Sequence, residues 1–470
     1  MKACGITPTF CAVRRADGRW EAWPSGNLIC LGGRHPDADW VADILDAIVI
    51  GGGPGGSCAA TLLARAGRRV VLLEKERFPR FHIGESLLPY NHAIFEELGV
   101  LPQLVAAGFP RKCGAQFFLG NGSKNTGFVF REGQFTRHTE AFQVERSRFD
   151  EVLLRHAGAS GAHVREGCTV QRFQAKSDRQ SVEFLNEAGQ PEQLEGRFLI
   201  DATGRGNLTG NQTGQRVPNP HLKKLAVFAH FSGVHLDPGE KAGDTVIIRL
   251  EKSWVWLIPL NLGAPGQPSK VSVGLVVDRD AFGANNSANK AAAEDLLAAA
   301  IAGSPPLARR LAAATRIGDL QVTSDFSYRN RTFFGPRLVR VGDAAGFIDP
   351  IFSSGVFLAM YSGKLGAEAV LTALRDGGDG TTEFTRYQRR VYGAMGIYRE
   401  MVDEFYTTPF MELFMEPRAK WGLAAAVNAV LAGELEGGWK LRWRMRLFFL
   451  LVRLQARFPL VPRISFAPVA

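Results

Sequence analysis

A glycine-rich turn set between a strand and a helix limits the folds open to this chain more than anything else in its sequence. The apolar run at 46–50 is typical of a buried parallel strand, and the segment 57–66 has the pattern of a helix. Between them stand three glycines in the spacing G-x-G-x-x-G, namely Gly51, Gly53 and Gly56. Glu74 ends a second apolar run at 70–73, where a carboxylate can accept hydrogen bonds from ribose hydroxyls. The pattern predicts a βαβ unit that binds the pyrophosphate of a dinucleotide at a helix N-terminus.

Short buried strands recur far downstream, at 198–201 and 338–341, and each runs into a glycine-containing loop. The stretch between them is rich in alternating β-formers, which predicts a second, mainly antiparallel sheet inserted into the first domain. We therefore predict an α/β fold with a Rossmann-type cofactor domain, an inserted substrate domain and a helical C-terminal region. The expected boundaries are 1–43 for an N-terminal extension, either disordered or the result of an upstream start, 44–115, 141–215 and 336–370 for the cofactor domain, 116–140 and 216–335 for the substrate-side sheet, and 371–470 for the helical region with its basic tail.

Positive charge is concentrated at one end of the chain. The formal net charge is +10, and no acidic residue follows Glu436, whereas seven lysines and arginines do. The six cysteines form no C-x-x-C pair, which argues against a zinc site and a disulfide scaffold and favours a reducing cytoplasm. No apolar run reaches the roughly 18 residues of a membrane span, and the start lacks the apolar core of a signal peptide. No nucleic-acid-binding module is recognised, so no such partner is expected.

Two later turns favour FAD over NAD as the dinucleotide. The segment 340–346 follows a strand and resembles the G-D motif of FAD-dependent aromatic hydroxylases, and 201–204 resembles their other flavin-proximal loop. The resemblance implies that Asp343 binds the ribityl chain. Because both turns follow the glycine-rich turn in the expected order, FAD is the predicted cofactor.

Three further segments resemble the flavin-dependent halogenases, and the likeness covers roughly residues 44 to 400. They are Phe78–Pro89, Trp254–Pro259 with the pattern W-x-W-x-I-P, and Asp349–Val356. The likeness is closest to the branch that acts on phenols and pyrroles. It implies an enzyme that uses reduced FAD, oxygen and chloride or bromide to halogenate an electron-rich aromatic carbon through hypohalous acid.

The resemblance also assigns roles to single residues. Trp254 and Trp256, in the motif that Pro259 ends, are expected beside the isoalloxazine, where they keep organic substrate away from the flavin; simple core packing is the alternative for any W-x-W. Halide is expected at Ser354 and Gly355, on backbone N–H groups at a helix N-terminus, and a branched side chain at Gly355 is expected to strain the turn. The remaining expected cofactor contacts are Glu85, Arg146 and Val356.

A lysine completes the expected site. The segment 108–117 resembles the one that carries the catalytic lysine of the phenol and pyrrole branch, which gives this role to Lys112. In the family the lysine receives hypohalous acid, by a hydrogen bond or as a haloamine, and directs it onto the substrate. Lys75 and Lys252 are alternatives because they lie near the motifs, although Lys75 belongs to the adenosine side and Lys252 to a turn.

The expected partners follow from the same likeness. No second G-x-G-x-x-G is present for a nicotinamide, so a separate NAD(P)H-dependent flavin reductase is expected, and the aromatic substrate is either free or tethered to a carrier protein. The basic tail at 439–463 either packs its apolar face on the substrate domain or meets an acidic carrier protein or anionic membrane through Arg442, Arg444 and Arg446. Two other functions stay open: an FAD monooxygenase or geranylgeranyl-reductase-like oxidoreductase, and a flavin-binding protein without halogenating activity.

Overall fold

The structure is a computed structural model that describes residues 11–14, 20–23, 44–220, 222–263, 268–279, 290–324, 327–417, 420–435 and 438–467. Residues 1–43 form a unit of their own, in which β1 (Cys11–Arg14) and β2 (Trp20–Trp23) pair antiparallel. The expectation for the rest of this extension falls outside the described residues. Everything from Ile44 onward belongs to the second unit.

The strands of the second unit are β3 (Leu45–Ile50), β4 (Val70–Leu73), β5 (Arg111–Lys112), β6 (Gly114–Leu119), β7 (Asn125–Val129), β8 (Ala141–Phe142), β9 (His163–Arg165), β10 (Thr169–Ala175), β11 (Gln180–Leu185), β12 (Pro191–Asp201), β13 (Arg216–Pro218), β14 (Lys224–Ser232), β15 (Thr245–Arg249), β16 (Trp254–Asn261), β17 (Lys270–Asp278), β18 (Thr315–Ser324), β19 (Tyr328–Asn330), β20 (Phe334–Gly335), β21 (Leu338–Arg340) and β22 (Gly346–Phe347). Its helices are α1 (Pro54–Arg65), α2 (Asn91–Leu98), α3 (Leu101–Ala106), α4 (Arg146–Ala159), α5 (Leu208–Gln212), α6 (Lys290–Ala302), α7 (Pro305–Leu311), α8 (Ser354–Asp376), α9 (Thr381–Phe405), α10 (Thr408–Phe414), α11 (Leu423–Leu431) and α12 (Gly438–Arg457).

The first large sheet, called the mixed sheet here, has the strand order β10-β11-β12-β3-β4-β9, and β21 also pairs with β12. Its central strands β12, β3, β4 and β9 run parallel, as the buried apolar runs of β3 and β4 predict. Helices α1 and α8 approach closely where they cross. A Cβ on Gly363 of α8 would lie only 2.3 Å from the carbonyl oxygen of Gly55 in α1. Glycines at the crossing therefore set how closely the two helices approach.

The second large sheet, called the antiparallel sheet here, has the order β18-β14-β17-β16-β15-β6-β7, and only its β15·β6 pairing is parallel. Side chains alternate across it, so Val255 and Leu257 join one apolar cluster with α6 and α7. Trp254, Trp256 and Ile258 point to the opposite face, toward the main core. The two indoles therefore share the face that looks at the mixed sheet and the C-terminal helices.

The C-terminal helices attach to the antiparallel sheet through a series of phenylalanines. Phe414 of α10 contacts Phe117 of β6 with ring centroids 4.7 Å apart, and Phe410 contacts Phe448 of α12 at 5.6 Å. Buried Glu412 accepts hydrogen bonds from Gln455 at 2.6 Å and from Arg463 at 2.9 Å, which holds the tail against α10. None of the described helices is long and apolar enough to cross a bilayer.

This architecture confirms the predicted fold class, an α/β fold with two sheets and a helical C-terminal region. The alternating β-formers between 198–201 and 338–341, which predict a second sheet, include β14 to β17. The exact domain boundaries stay a prediction.

Candidate active site

A cavity of about 520 Å³ lies where the carboxyl ends of β3, β12 and β21 face the antiparallel sheet. Ligands of open α/β sheets bind at such carboxyl ends. The cavity is lined by residues of every predicted motif except the lysine segment 108–117, so sequence segments that are far apart in the chain meet at one place.

The glycine-rich turn forms one end of the cavity, and its backbone leaves no room for side chains. Gly51 has a φ of +102°, and a Cβ on it would lie 2.4 Å from the carbonyl oxygen of Ala202. A Cβ on Gly56 would lie 1.9 Å from the oxygen of Gly51. Gly53 precedes the first turn of α1 and lines the cavity, so the helix N-terminus faces it. This cradle fits a pyrophosphate.

Glu74 lies at the end of β4 and lines the same end of the cavity. Its Oε2 accepts from the backbone N–H of Gly52 at 2.6 Å, and its Oε1 accepts from that of Glu76 at 2.9 Å. Each carboxylate oxygen has a second lone pair, which suits a ribose hydroxyl. Lys75 is exposed beside it, at the adenosine side that the sequence indicates.

Three further predicted cofactor contacts line the cavity: Asp343, Glu85 and Arg146. Burial raises the pKa of the Asp343 carboxyl to about 6. Glu85 Oε1 pairs with His230 Nε2 at 2.9 Å, while its buried Oε2 has no hydrogen-bond partner among the described residues, a group that a flavin N–H or hydroxyl could satisfy. Arg146 is held by Asp150, with contacts of 2.7 and 2.9 Å, and by the carbonyl of Ile83. The residues present therefore fit FAD.

The two indoles form one wall of the cavity, and their ring centroids lie 5.8 Å apart. Trp256 donates to Ser272 Oγ at 3.1 Å and fits because the facing residue is Gly274, where a Cβ would lie 2.0 Å from the indole. Trp254 donates to the hydroxyl of Tyr406 at 2.9 Å. Pro259 is buried at a register shift of β16 and is not among the described lining residues, whereas Ile258 is.

The predicted halide turn stands at the start of α8. Asp349 caps the short turn Pro350–Phe352, Ser353 follows with a φ of 55°, and Ser354 is the first residue of the helix. Ser353, Gly355 and Val356 line the cavity, and Ser354 is buried behind them. A Cβ on Gly355 would meet no described atom within 4 Å, and Gly355 does not have a positive φ. The expected strain at Gly355 is therefore wrong, because the left-handed position of this turn belongs to Ser353.

Lys112 is buried, with 2% of its surface exposed, and it does not line the cavity itself. Its Nζ donates to Ser86 Oγ at 2.9 Å and to the carbonyl of Leu87 at 3.1 Å, and Ser86 does line the cavity. Desolvation lowers the pKa of the Lys112 ammonium to about 7, and the nearby Asp244 carboxylate opposes this shift. The ammonium therefore stands one hydroxyl away from the cavity wall. The alternative Lys252 is exposed in the turn between β15 and β16.

Several residues around Lys112 carry no sequence motif and were not predicted. Thr245 lines the cavity, and its hydroxyl lies 2.8 Å from Ser86 Oγ and accepts from Gln143 Nε2 at 2.9 Å. Burial raises the pKa of Asp244 to about 6, and its Oδ1 has no hydrogen-bond partner among the described residues. Nothing in the local sequence distinguishes Asp244 and Thr245, since they reach the surroundings of Lys112 from more than a hundred positions later in the chain.

Comparisons with known proteins agree with this geometry. The sequence model of the tryptophan halogenase family matches residues 46–140 and 123–412. The chain is 33% identical to the 1H-pyrrole-2-carbonyl-[peptidyl-carrier protein] brominase of Pseudoalteromonas luteoviolacea, over 77% of this chain and 86% of that one. It is 34% identical to the tryptophan 2-halogenase of Chondromyces crocatus, over 76% of this chain and 67% of that one.

Among solved structures, the flavin-dependent brominase Bmp2 superposes with a TM-score of 0.77 and 29% identity, covering 88% of this chain and 100% of that one. The family match spans most of the chain and includes the cavity, both tryptophans and Lys112. This chain belongs to the tryptophan halogenase family and is an FAD-dependent halogenase.

Proposed function

We propose that this chain uses reduced FAD, oxygen and chloride or bromide to halogenate an electron-rich aromatic compound, with Lys112 directing hypohalous acid onto the ring. One observation carries the proposal. A single cavity brings together the glycine cradle, the halide turn, the paired indoles and Ser86, which accepts a hydrogen bond from Lys112. When bound, reduced FAD would supply two electrons to oxygen and the halide would supply two more, so that one oxygen atom leaves as water and the other forms hypohalous acid.

The halide turn supplies the anion site in this proposal. Backbone N–H groups of the first turn of α8 have no partner within the helix, and the helix dipole adds positive potential there. Open space at Gly355 leaves room for a chloride or bromide between these N–H groups and the cavity. Ser354 and Gly355 are therefore the halide residues.

The indoles of Trp254 and Trp256 act as a barrier. They are almost fully buried and their own N–H groups are already bonded, so they present apolar rings to the cavity. A small neutral acid can pass such a wall, while a whole aromatic substrate is kept from the flavin side. This arrangement favours oxidation of halide over hydroxylation of substrate.

Lys112 receives the hypohalous acid beyond that wall. An ammonium has three N–H donors, and Ser86 and the carbonyl of Leu87 use two of them, which leaves one for a ligand. With a pKa near 7, the same group can also lose a proton at neutral pH and bind halogen as an amine. In this proposal, either form holds the electrophile beyond the indoles for transfer to the aromatic substrate.

The proposal includes two partners. A separate NAD(P)H-dependent flavin reductase supplies reduced FAD, since the sequence offers one dinucleotide turn. A carrier protein that presents a tethered aromatic acyl group is the second, because the relative from Pseudoalteromonas luteoviolacea is named for such a substrate.

The outer face of α12 is the surface that fits this carrier protein. Trp439 and Phe458 are 72% and 63% exposed, and Arg442 and Arg446 also face solvent. Helix α12 itself carries several arginines and no acidic residue, which favours an acidic partner over a second copy of the same helix. Arg444 is instead half-buried, and its guanidinium lies 5.0 Å from the centre of the Phe135 ring. Phe130, five residues earlier, has its ring centre 5.6 Å from Lys112 Nζ. Helix α12 therefore contacts, through Arg444, the same segment 130–135 that contacts Lys112.

Mass spectrometry of complete reactions tests the function. The protein is incubated with flavin reductase, FAD, NADH and chloride or bromide, and with phenols, pyrroles and indoles that are free or loaded on a carrier protein. We expect a halogenated product that requires halide. A hydroxylated product formed without halide would support a monooxygenase, and a saturated alkene would support the reductase alternative. The Lys112→Ala variant is the control for uncatalysed halogenation by released hypohalous acid.

A further inference from the structure

We propose that Tyr406 is a positioning residue that fixes the halide turn and the Trp254 indole relative to each other. The inference rests on the proposed halide site and goes beyond it, because Tyr406 lies outside every motif of the sequence. It stands at the C-terminal end of α9, 57 residues after Asp349 and 152 after Trp254.

A directed chain of hydrogen bonds runs through the Tyr406 hydroxyl. The indole of Trp254 can only donate, and its Nε1 lies 2.9 Å from the Tyr406 oxygen. The phenol proton must then point elsewhere, and Asp349 Oδ2 accepts it at 2.8 Å. The other carboxylate oxygen of Asp349 accepts from the backbone N–H of Ile351 at 3.1 Å. One side chain therefore joins the cavity wall to the cap of the halide turn.

The protonation states of the chain are fixed by burial. Burial and the adjacent carboxylate raise the pKa of Tyr406 well above its usual value, so the phenol stays protonated. Burial raises the pKa of Asp349 to about 6, while the hydrogen bonds from Tyr406 and Ile351 oppose the shift, so the carboxylate is charged at neutral pH. Above the pKa of Asp349, donation therefore runs from indole to phenol to carboxylate.

Two cationic side chains contact the tyrosine, one at its ring and one at its backbone carbonyl. Lys224 Nζ stands 3.8 Å from the centre of its ring, and Lys224 is in turn paired with Asp278 at 2.6 Å. Arg249 donates to the Tyr406 carbonyl at 3.3 Å. These contacts hold the hydroxyl in one place, which is what a spacer between two functional groups requires.

The consequence concerns where the anion and the wall stand relative to each other. Asp349 sets the geometry of Pro350–Phe352, and the N–H groups that follow this turn form the proposed halide site. Trp254 closes the route from that site toward Lys112 in the proposed function. If Tyr406 holds both, its hydroxyl governs halide affinity and how much oxidised halide reaches the lysine side.

The test is Tyr406→Phe, which keeps the ring and removes only the hydroxyl. We expect the KM for bromide to rise about tenfold, with flavin oxidation by oxygen unchanged, and a larger share of reducing equivalents to appear as hydrogen peroxide. Bromide should also raise the Tm of the oxidised, FAD-loaded variant less than that of the wild type. Tyr398→Phe is the control, because Tyr398 lies in α9, is fully buried, and donates its hydroxyl to the carbonyl of Val430 instead.

A normal bromide KM, Tm shift and peroxide share in Tyr406→Phe would overturn the inference, and so would equal effects in Tyr398→Phe. The double variant Tyr406→Phe with Trp254→Phe should still have a higher KM for bromide than Trp254→Phe alone, because Tyr406→Phe also removes the hydrogen bond to Asp349. If Tyr406→Phe does not fold, Asp349→Asn replaces it with the same expectations for KM and Tm shift. Failure of the proposed halide site itself is separate, because Gly355→Val would then leave the bromide dependence unchanged.

Discussion

The two ends of the proposed halogenation path are built in opposite ways. At the halide turn, a linear run of hydrogen bonds joins Trp254, Tyr406 and Asp349. Each polar atom in it has a partner, and each proton has one position. At the lysine, desolvation lowers the pKa of the buried Lys112 ammonium to about 7, and the Oδ1 atom of the neighbouring Asp244 has no partner among the described residues. The first end is suited to hold a fixed geometry, and the second is suited to exchange protons near neutral pH.

Removing the lysine should have the largest effect if this contrast is functional. In Lys112→Ala we expect product formation to fall by at least about 100-fold, because the electrophile is no longer held near the substrate. FAD binding and flavin oxidation by oxygen should stay near normal, since Lys112 does not line the main cavity. Product is measured by mass spectrometry and flavin oxidation by absorbance.

The matched control is Lys75→Ala, which removes an exposed lysine beside Glu74. Near-normal product from Lys112→Ala together with loss in Lys75→Ala would move the catalytic role to the other lysine. Loss of flavin oxidation in Lys112→Ala would show instead that the two ends are not separate.

The second prediction concerns a substitution at the halide turn. Gly355→Val should lower halogenation about tenfold at a fixed halide concentration, because the side chain occupies the space beside the first turn of α8. The fold should tolerate it, since no described atom lies within 4 Å of the added Cβ. Excess halide should not restore the full rate, as measured by initial rates over a halide series. Gly393→Val, at an open helical position in α9, is the control. Full recovery with more halide would place the anion elsewhere.

The sequence predicted the parts of the site that local backbone chemistry determines. Phosphate binding needs glycines at fixed spacing, and Gly51 and Gly56 stand where any Cβ would collide with backbone. The shared face of Trp254 and Trp256 follows from the two-residue period of a strand. Both kinds of signal lie within a few residues, which is why a single sequence reveals them.

The parts that were missed depend on long-range contacts. Tyr406, Asp244 and Thr245 reach the site from elements distant in the chain, and no spacing rule connects them to Trp254 or Lys112. The expected strain at Gly355 was wrong because a glycine suggests a positive φ, whereas Ser353 adopts it here. Site roles, the reductase and the carrier partner stay predictions.

The lysine end should show its proton exchange in the pH profile. Burial lowers the pKa of Lys112 to about 7, so the neutral amine is present above that value, and halogenation should rise with pH through about 7 if the amine receives the halogen. Asp244 raises this pKa, so Asp244→Asn should move the rising limb to lower pH. Rates across pH 5 to about 9 measure this. Asp319→Asn, which removes an exposed carboxylate paired with Lys290, should leave the limb in place.

A limb that falls with pH would mean that the ammonium donates a hydrogen bond to hypohalous acid, and it should still move to lower pH in Asp244→Asn. A profile that is flat, or that does not respond to Asp244→Asn, would contradict the view of the lysine end as the proton-exchanging one. Flavin oxidation by oxygen is measured in parallel at each pH as a control, because we do not expect Lys112 to act in that step.

The smallest expected effect concerns the outer face of α12, the surface that we propose binds the carrier protein on the lysine side of the molecule. Replacing Arg442 and Arg446 by Gln should lower turnover of a carrier-bound aromatic about fivefold at low salt, less at high salt, and should leave a free phenol unaffected. Both side chains are exposed, so the fold should persist. Arg444→Gln should differ, because Arg444 donates to the carbonyl of Trp421 at 3.0 Å and supports the packing of the helix. Gln at the exposed Arg309 and Arg389 of other helices is the charge-matched control. Equal loss on free and tethered substrates would show that α12 serves packing alone. If the wild type binds anionic vesicles and the Arg442 and Arg446 variant does not, while turnover of the carrier-bound substrate is kept, the partner of this face is a membrane.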